Sequence, residues 1–428
     1  MNPIFKTTFV FALLVLHLQA SAEQLLIQNA RVYDGTGAEA IEDADILIVD
    51  GVIEEIGQQL GKDFTGKKID ASGKSVTPGL VNAFTHLGLV EISAVSHSRD
   101  SATKDELLGP SFQVASAVNP AATAIPHNRM NGLTHAIVSP SSGHQPFAGQ
   151  AAAIRLAGDT TTVINPSVAM FAHYDSKGSE LSGGSRAATH SKLKMSLDDA
   201  IEYADNRNKA QSGNWRDFFL PLNDLKALEP VVSGEQVLAV VVHRESDIRN
   251  LLALKTQYKL NLVLVGATEA WRVADDIAQA NVPVIMDPMA NLPLDFDQLA
   301  ARLDAAAILQ RSGVTLLFTG VAWRHTHSAH LVRQAAGNAA ARGLPVNEAI
   351  RAMTLNPAKV FGFADKFGSI EKGKTADIVI WDGHPLELLT RADHVIINGK
   401  ETAMVSRSTR LRDRYRELDT RYPPAYRK

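Results

Sequence analysis

Apolar and polar positions follow two different rhythms along this chain. From residue 25 to 76, short apolar runs alternate with polar positions and end in tight turns. Leu25-Leu26-Ile27 and Ala30-Arg31-Val32-Tyr33 lead to Asp34-Gly35-Thr36-Gly37, and a second alternating run, 44–49, leads to Asp50-Gly51. A period of two broken by Asp-Gly predicts strands joined by hairpins. After Pro78 the runs become solidly apolar, at 80–84, 134–139, 237–243, 262–265, 282–286 and 314–319. Helix-like stretches at 247–258, 269–280 and 296–311 lie between several of them. Apolar strands alternating with helices predict a parallel sheet of the α/β class. A section of roughly 290 residues suits a distorted (β/α)8 TIM barrel with insertions.

Residues 176–212, with Gly/Ser clusters and a polar helix near 196–211, read as one such insertion. From Asn347 the chain is helical, and Gly368-Ser369-Ile370-Glu371-Lys372-Gly373-Lys374 makes a turn. Short strands return at 376–383 and 395–400. β-rich material therefore stands at both ends of the barrel section, and the two ends are expected to pair into a small composite β-sandwich. The expected organisation is a leader at 1–22, the sandwich from 23–76 with 369–405, the barrel over 77–368, and a basic tail helix at 406–428. That tail carries seven Arg and one Lys against three acids and reads as a solvated, docking helix.

The leader follows from its order of residues. Lys6 supplies a positive start, 9–18 an apolar run and Ala20-Ser21-Ala22 a small-residue cleavage site. This is the pattern of a secretory signal peptide, with an apolar run too short for a membrane span. The mature chain is expected to start near Glu23 and to be exported to a periplasm. The 428 residues include no cysteine, which excludes disulfides, Cys-ligated zinc and a thiol nucleophile. A hydrophobic content of 45% and a net charge of −3 fit a globular protein and give no case for nucleic-acid binding. A small-molecule partner is expected, with no membrane span, and a homo-oligomer is left open. No nucleophile-elbow, phosphate-loop or dinucleotide motif appears.

Chemistry concentrates at the ends of the apolar runs. In Pro78-Gly79-Leu80-Val81-Asn82-Ala83-Phe84-Thr85-His86 the last residue stands at a strand end, and its partner two positions back, on the same face, is Phe84. This motif resembles the Pro-Gly-Leu-x-Asp-x-His-x-His of the amidohydrolase superfamily, in its imidazolonepropionase-like metal-dependent branch. Thr354-Leu355-Asn356-Pro357-Ala358-Lys359-Val360-Phe361-Gly362 and Gly368 to Asp377-Ile378-Val379 are similar to the same family, as is the split β-unit. The resemblance implies hydrolysis of C–N bonds in amides by one or two divalent metals at the barrel mouth. It also implies ligands from His-x-His on the first strand, a Lys or Glu on the fourth, histidines on the fifth and sixth, and an Asp on the eighth.

Measured against that pattern the chain departs at most positions. Asn82 stands for Asp, Phe84 for the first His, Gly266 near the sixth-strand position and Gly320 where the last Asp is expected. The fourth-strand ligand has no obvious equivalent. His86 and His243 are the metal candidates, with Val241 an alternative register for the latter, and His327 of Arg324-His325-Thr326-His327 a weaker third. His325 and Glu269 are candidate catalytic groups, while His144, Arg244, Asp287 and Arg324 are candidate pocket residues. The leading expectation is an exported hydrolase of a non-peptide C–N bond in a small amide or cyclic amide. It would hold one divalent metal, zinc first among them, or none. The alternative is a catalytically degenerate member that binds a small ligand or a partner protein in the same mouth.

Overall fold

The computed structural model describes residues 23–158, 162–320 and 323–416, with the side chains of 323 and 324 excepted; the leader lies outside the described residues. Sixteen strands run in chain order among them. The first five are β1 (Gln24–Val32), β2 (Ile41–Val49), β3 (Val52–Gly57), β4 (Lys67–Asp70) and β5 (Ser75–Pro78). Eight more follow: β6 (Leu80–Thr85), β7 (Leu133–Val138), β8 (Phe147–Arg155), β9 (Val163–His173), β10 (Val237–Val242), β11 (Asn261–Gly266), β12 (Val284–Met286) and β13 (Leu316–Phe318). The last three are β14 (Ile378–Trp381), β15 (Ala392–Ile397) and β16 (Lys400–Glu401).

The chain ends do pair. β14 lies antiparallel on β5, with Ile380 opposite Val76, and the order β16-β15-β14-β5-β1-β2-β3 forms one sheet, with β4 beside β1. Its inward side chains, among them Ile27, Val32, Ile46, Ile48, Val76, Ile378 and Ile380, build a separate small core. Asp50 takes the left-handed conformation at φ 48°, as the Asp-Gly turn between β2 and β3 demands.

The other sheet runs β6 to β13 in sequence order, a nearly closed barrel. β8 is the exception to parallel order, antiparallel to both β7 and β9. Sequence reading missed β8 and β9. The run 147–155 is small-residue rich, and the first half of β9 is largely exposed, so neither presents a solid apolar block. Phe147 begins β8, so the connection that follows β7 is short. The helix expected at 296–311 is a short turn, Phe296–Gln298, and a helix, Ala305–Arg311. Asp297 is held by Arg186 and by the Ser176 amide, which draws that segment out of a continuous helix. The insertion is likewise more regular than expected, with helices Ser176–Leu181 and Arg186–Gln211. Among the described residues no helix is long and apolar enough to cross a membrane.

The reversal of β8 carries its last residue, Arg155, to the end of the barrel that faces the terminal sheet. There Arg155 grips Asp377, next to β14, through Nη2 at 2.6 Å and Nε at 3.1 Å. The Asn398 amide donates to the same carboxylate at 2.7 Å, and His135 Nε2 lies 3.5 Å from it. Burial lowers the His135 pKa to about 4, so the ring is neutral there. The Asp377 side chain is 4% exposed and bridges the two layers. Removing one partner of a buried ion pair strands the other charge, at a cost of about 3–5 kcal/mol. Asp377→Ala is therefore expected to lower unfolding stability by that amount in chemical denaturation, and a change under about 1 kcal/mol would mean the pair does not join the layers.

Candidate functional site

The seven parallel strands deliver their C-terminal ends to one mouth. His86 follows β6, Ser139 to Ser141 follow β7, His173 ends β9, His243 follows β10, Asp287 follows β12 and Thr319 follows β13. Below the mouth the axis is filled. Phe84 stacks on Phe171 with ring centroids 5.4 Å apart and planes at 11°. Phe84 also meets the His325 ring at 4.4 Å. Offset aromatic stacking of this kind is a stable packing mode, so the floor of the mouth is apolar.

Side chains stitch the first and last barrel strands together. The Thr319 hydroxyl lies 3.0 Å from Asn82 Oδ1 and 2.5 Å from the Phe84 carbonyl. Asn82 Nδ2 donates to the Ala329 carbonyl at 2.9 Å, and the amide of Phe84 donates to Asn82 Oδ1. Asn82 thus acts as a buried strut at the position where the resemblance implied an acid.

Four histidines surround the mouth. His325 reaches in from the short helix Trp323–Thr326, and its Nδ1 donates to the Phe84 carbonyl at 2.9 Å. Burial depresses its pKa to about 4. The His86 ring meets it edge-on at 4.2 Å, and His86 Nε2 lies 2.9 Å from Ser141 Oγ. Burial, then the neighbouring His325, holds His86 well below the usual histidine range. His243 is lowered chiefly by burial; its Nδ1 lies 2.8 Å from Thr268 Oγ1 and its Nε2 3.3 Å from Gln298 Nε2. A Cβ at Gly266 would stand 2.5 Å from His243 Cε1, so the glycine makes room for this ring.

His173 differs from the other three. Its Nδ1 lies 3.1 Å from Asp175 Oδ1, which also accepts the Gly178 amide at 3.0 Å. Burial alone would raise the Asp175 pKa, but the hydrogen bond and charge of His173 and the Gly178 amide hold it below the ordinary value. The carboxylate beside Nδ1 fixes that nitrogen as the donor. His173 contributes to the electrostatics of both His86 and His243 and so belongs to the same mouth. It stands at the end of the fourth barrel strand, where no ligand equivalent was found by sequence. Recognising 163–173 as a strand would have exposed it.

A model of the Amidohydrolase family matches residues 258–405. A dihydroorotase of Ruminiclostridium cellulolyticum is 48% identical over 66 residues, 15% of this chain and 14% of that protein. An imidazolonepropionase of Sphingopyxis alaskensis is 48% identical over 50 residues, 11% of this chain and 12% of its own. These matches span well under a fifth of the relatives' lengths. The crystal structure of an amidohydrolase from Thermotoga maritima superposes at a TM-score of 0.78 and 24% identity, covering 89% of this chain and 99% of that one. Residues 258–405 thus match the Amidohydrolase family, and the fold is that of the Thermotoga maritima amidohydrolase.

Members of the superfamily typically use a divalent metal, which wants three or four protein donors on one point. Among the described residues no group of three or more His, Asp or Glu side chains is placed to hold a metal ion. His86 and His243 reach the mouth but are engaged with Ser141, Thr268 and Gln298. Val241 packs against the barrel interior one layer below. Among the described contacts none links the His327 ring to the cluster; its carbonyl accepts from Asn128 Nδ2 on the helix Ala124–Arg129. The described donors therefore do not fit a three-ligand zinc site.

The remaining candidates take other places. Glu269 accepts the Glu245 amide at 2.8 Å and caps the helix Glu245–Tyr258. His144 sits in the loop between β7 and β8 beside Gln145. Asp287 is buried at the end of β12 and accepts the Met289 amide at 2.9 Å. The side chain of Arg324 lies outside the described residues. Arg244 lines a cleft next to the mouth.

The buried histidines set a pH dependence. An unfolded histidine takes up a proton below about pH 6.5, whereas the folded His325 ring resists until about 4. The unfolded state thus binds more protons in that window, and stability falls as pH drops through it. The unfolding midpoint is expected to decline from pH 6.5 to 4, and His325→Asn is expected to flatten the slope. An unchanged slope in the variant would mean the ring is not held neutral.

Proposed function

We propose that this protein is an exported hydrolase that cleaves the C–N bond of a small amide or cyclic amide at the barrel mouth, with His173 as general base. The observation that carries the reading is the Asp175–His173 pair at the end of β9. The carboxylate fixes the orientation of the ring, and Nε2 takes a proton from the attacking water. Nε2 then returns that proton to the departing nitrogen. The neutral, buried His86 and His325 add no cationic charge against the reaction, and the Phe84–Phe171 stack closes the floor to bulk water. Export rests on the leader pattern of the first 22 residues.

A second reading is favoured by one observation, the lack of a convergent three-donor group among the described residues. In that reading the mouth binds a small ligand without turning it over. Turnover of a panel of hydantoins, cyclic imides and N-acyl amino acids separates the two. His173→Asn is expected to reduce kcat by at least about a hundredfold with the melting temperature unchanged. Undiminished turnover in the variant would place the base elsewhere. Stabilisation by these compounds without turnover in the native protein would favour the binding reading.

The metal content offers an independent check. Protein purified without chelators is expected to carry less than about a tenth of an equivalent of zinc, since zinc sites want three or four protein donors. A full equivalent would mean that the histidines rearrange around an ion.

A further inference from the structure

Beside the mouth, a cleft of about 590 Å³ opens between the start of the helix Glu245–Tyr258 and the segment that follows β12. Its charged lining is nearly all engaged. Arg186 binds Asp247 and Asp297, Glu269 caps the helix, and Glu245 pairs with Arg249. Arg244 is different: among the described residues its guanidinium makes no hydrogen bond or close ion pair, and its charge reaches Asp247 only through space. The opposite wall is apolar and open to water, with Phe296 89% and Leu299 65% exposed. Leu292 and Leu294, each 73% exposed, continue the same segment. So many large apolar side chains on one latched segment mark a contact surface.

We infer that this cleft takes a carboxylate-bearing ligand with an apolar group, the carboxylate on Arg244 and the apolar part against Phe296 and Leu299. This rests on the reading of the mouth as a substrate site and names the substrate class, an N-acyl amino acid or its cyclic equivalent. A planar guanidinium with five donors matches a carboxylate in a two-point contact. The apolar wall gains from covering exposed ring and methyl surface. The cleft and the mouth adjoin. Arg244 follows His243 in the chain, and Gln298, which touches the His243 ring, lies between Phe296 and Leu299 on the facing segment. A ligand held by Arg244 therefore presents its amide toward the histidines.

Titration calorimetry of the exported, full-length protein with hippurate (N-benzoylglycine) and its neutral amide, hippuramide, tests the assignment. Hippurate is expected to bind at least about tenfold more tightly than hippuramide. Arg244→Gln should remove that difference, Arg244→Lys should restore part of it, and Phe296→Ser should weaken both ligands. Equal binding of the two, a difference that survives Arg244→Gln, or no saturable binding of hippurate would each overturn the proposal. His173→Asn separates this from the catalytic reading. That variant keeps the preference for hippurate if the cleft is assigned correctly, whether or not turnover is lost.

Discussion

The architecture depends on one buried carboxylate. Asp377 belongs to the terminal sheet, yet its strongest partner, Arg155, comes from the barrel, and the two chain ends meet around that contact. A charge this deep is tolerable only because the guanidinium, the Asn398 amide and the nearby His135 ring together replace its water. The Arg155 guanidinium also lies over the Phe367 ring at 5.2 Å, which keeps its planar face covered. The consequence is directional. The layers cannot slide past one another without separating a desolvated pair, so the barrel has a fixed base and its opposite end is free to carry variable loops.

At that opposite end, apolar packing and donor atoms share the space. Phe84 extends the barrel core upward by one layer, and Phe171 meets it from across the axis. Glycine at 266 does the reverse, opening space that the His243 ring occupies. Phe84 fills volume and Gly266 leaves it open, and among the described residues the histidines of the mouth are hydrogen-bonded individually rather than converging. Among the described residues, His173 is the histidine of this mouth that lies beside a carboxylate, Asp175.

How much of this could be read from residues alone varies with burial. Solid apolar runs such as 237–243 and 262–265 announced their strands, because both faces of those strands are covered. The same runs placed His86 and His243 correctly at strand ends. β9 escaped because its first half is largely exposed and only its second half reads as core. His173 was lost with it, since a histidine acquires meaning from the strand it terminates. Glu269 and Asp297 were unreadable for a different reason: each carboxylate is claimed by a partner remote in sequence, an amide of residue 245 and the guanidinium of residue 186. Chain separation hides such pairs.

The reversed strand β8 has a consequence for how the barrel assembles. β7, β8 and β9 form a meander whose neighbours lie close along the chain, with Val138 opposite Ala152 and Ala153 opposite Asn165. Parallel neighbours such as β9 and β10 must first bring together segments separated by long helical excursions. Loop-closure entropy delays those pairings relative to hairpins. The meander therefore gives the folding chain an early template onto which β10 to β13 add in order, and the strut of Asn82 and Thr319 comes last, when β13 meets β6 and the ring closes.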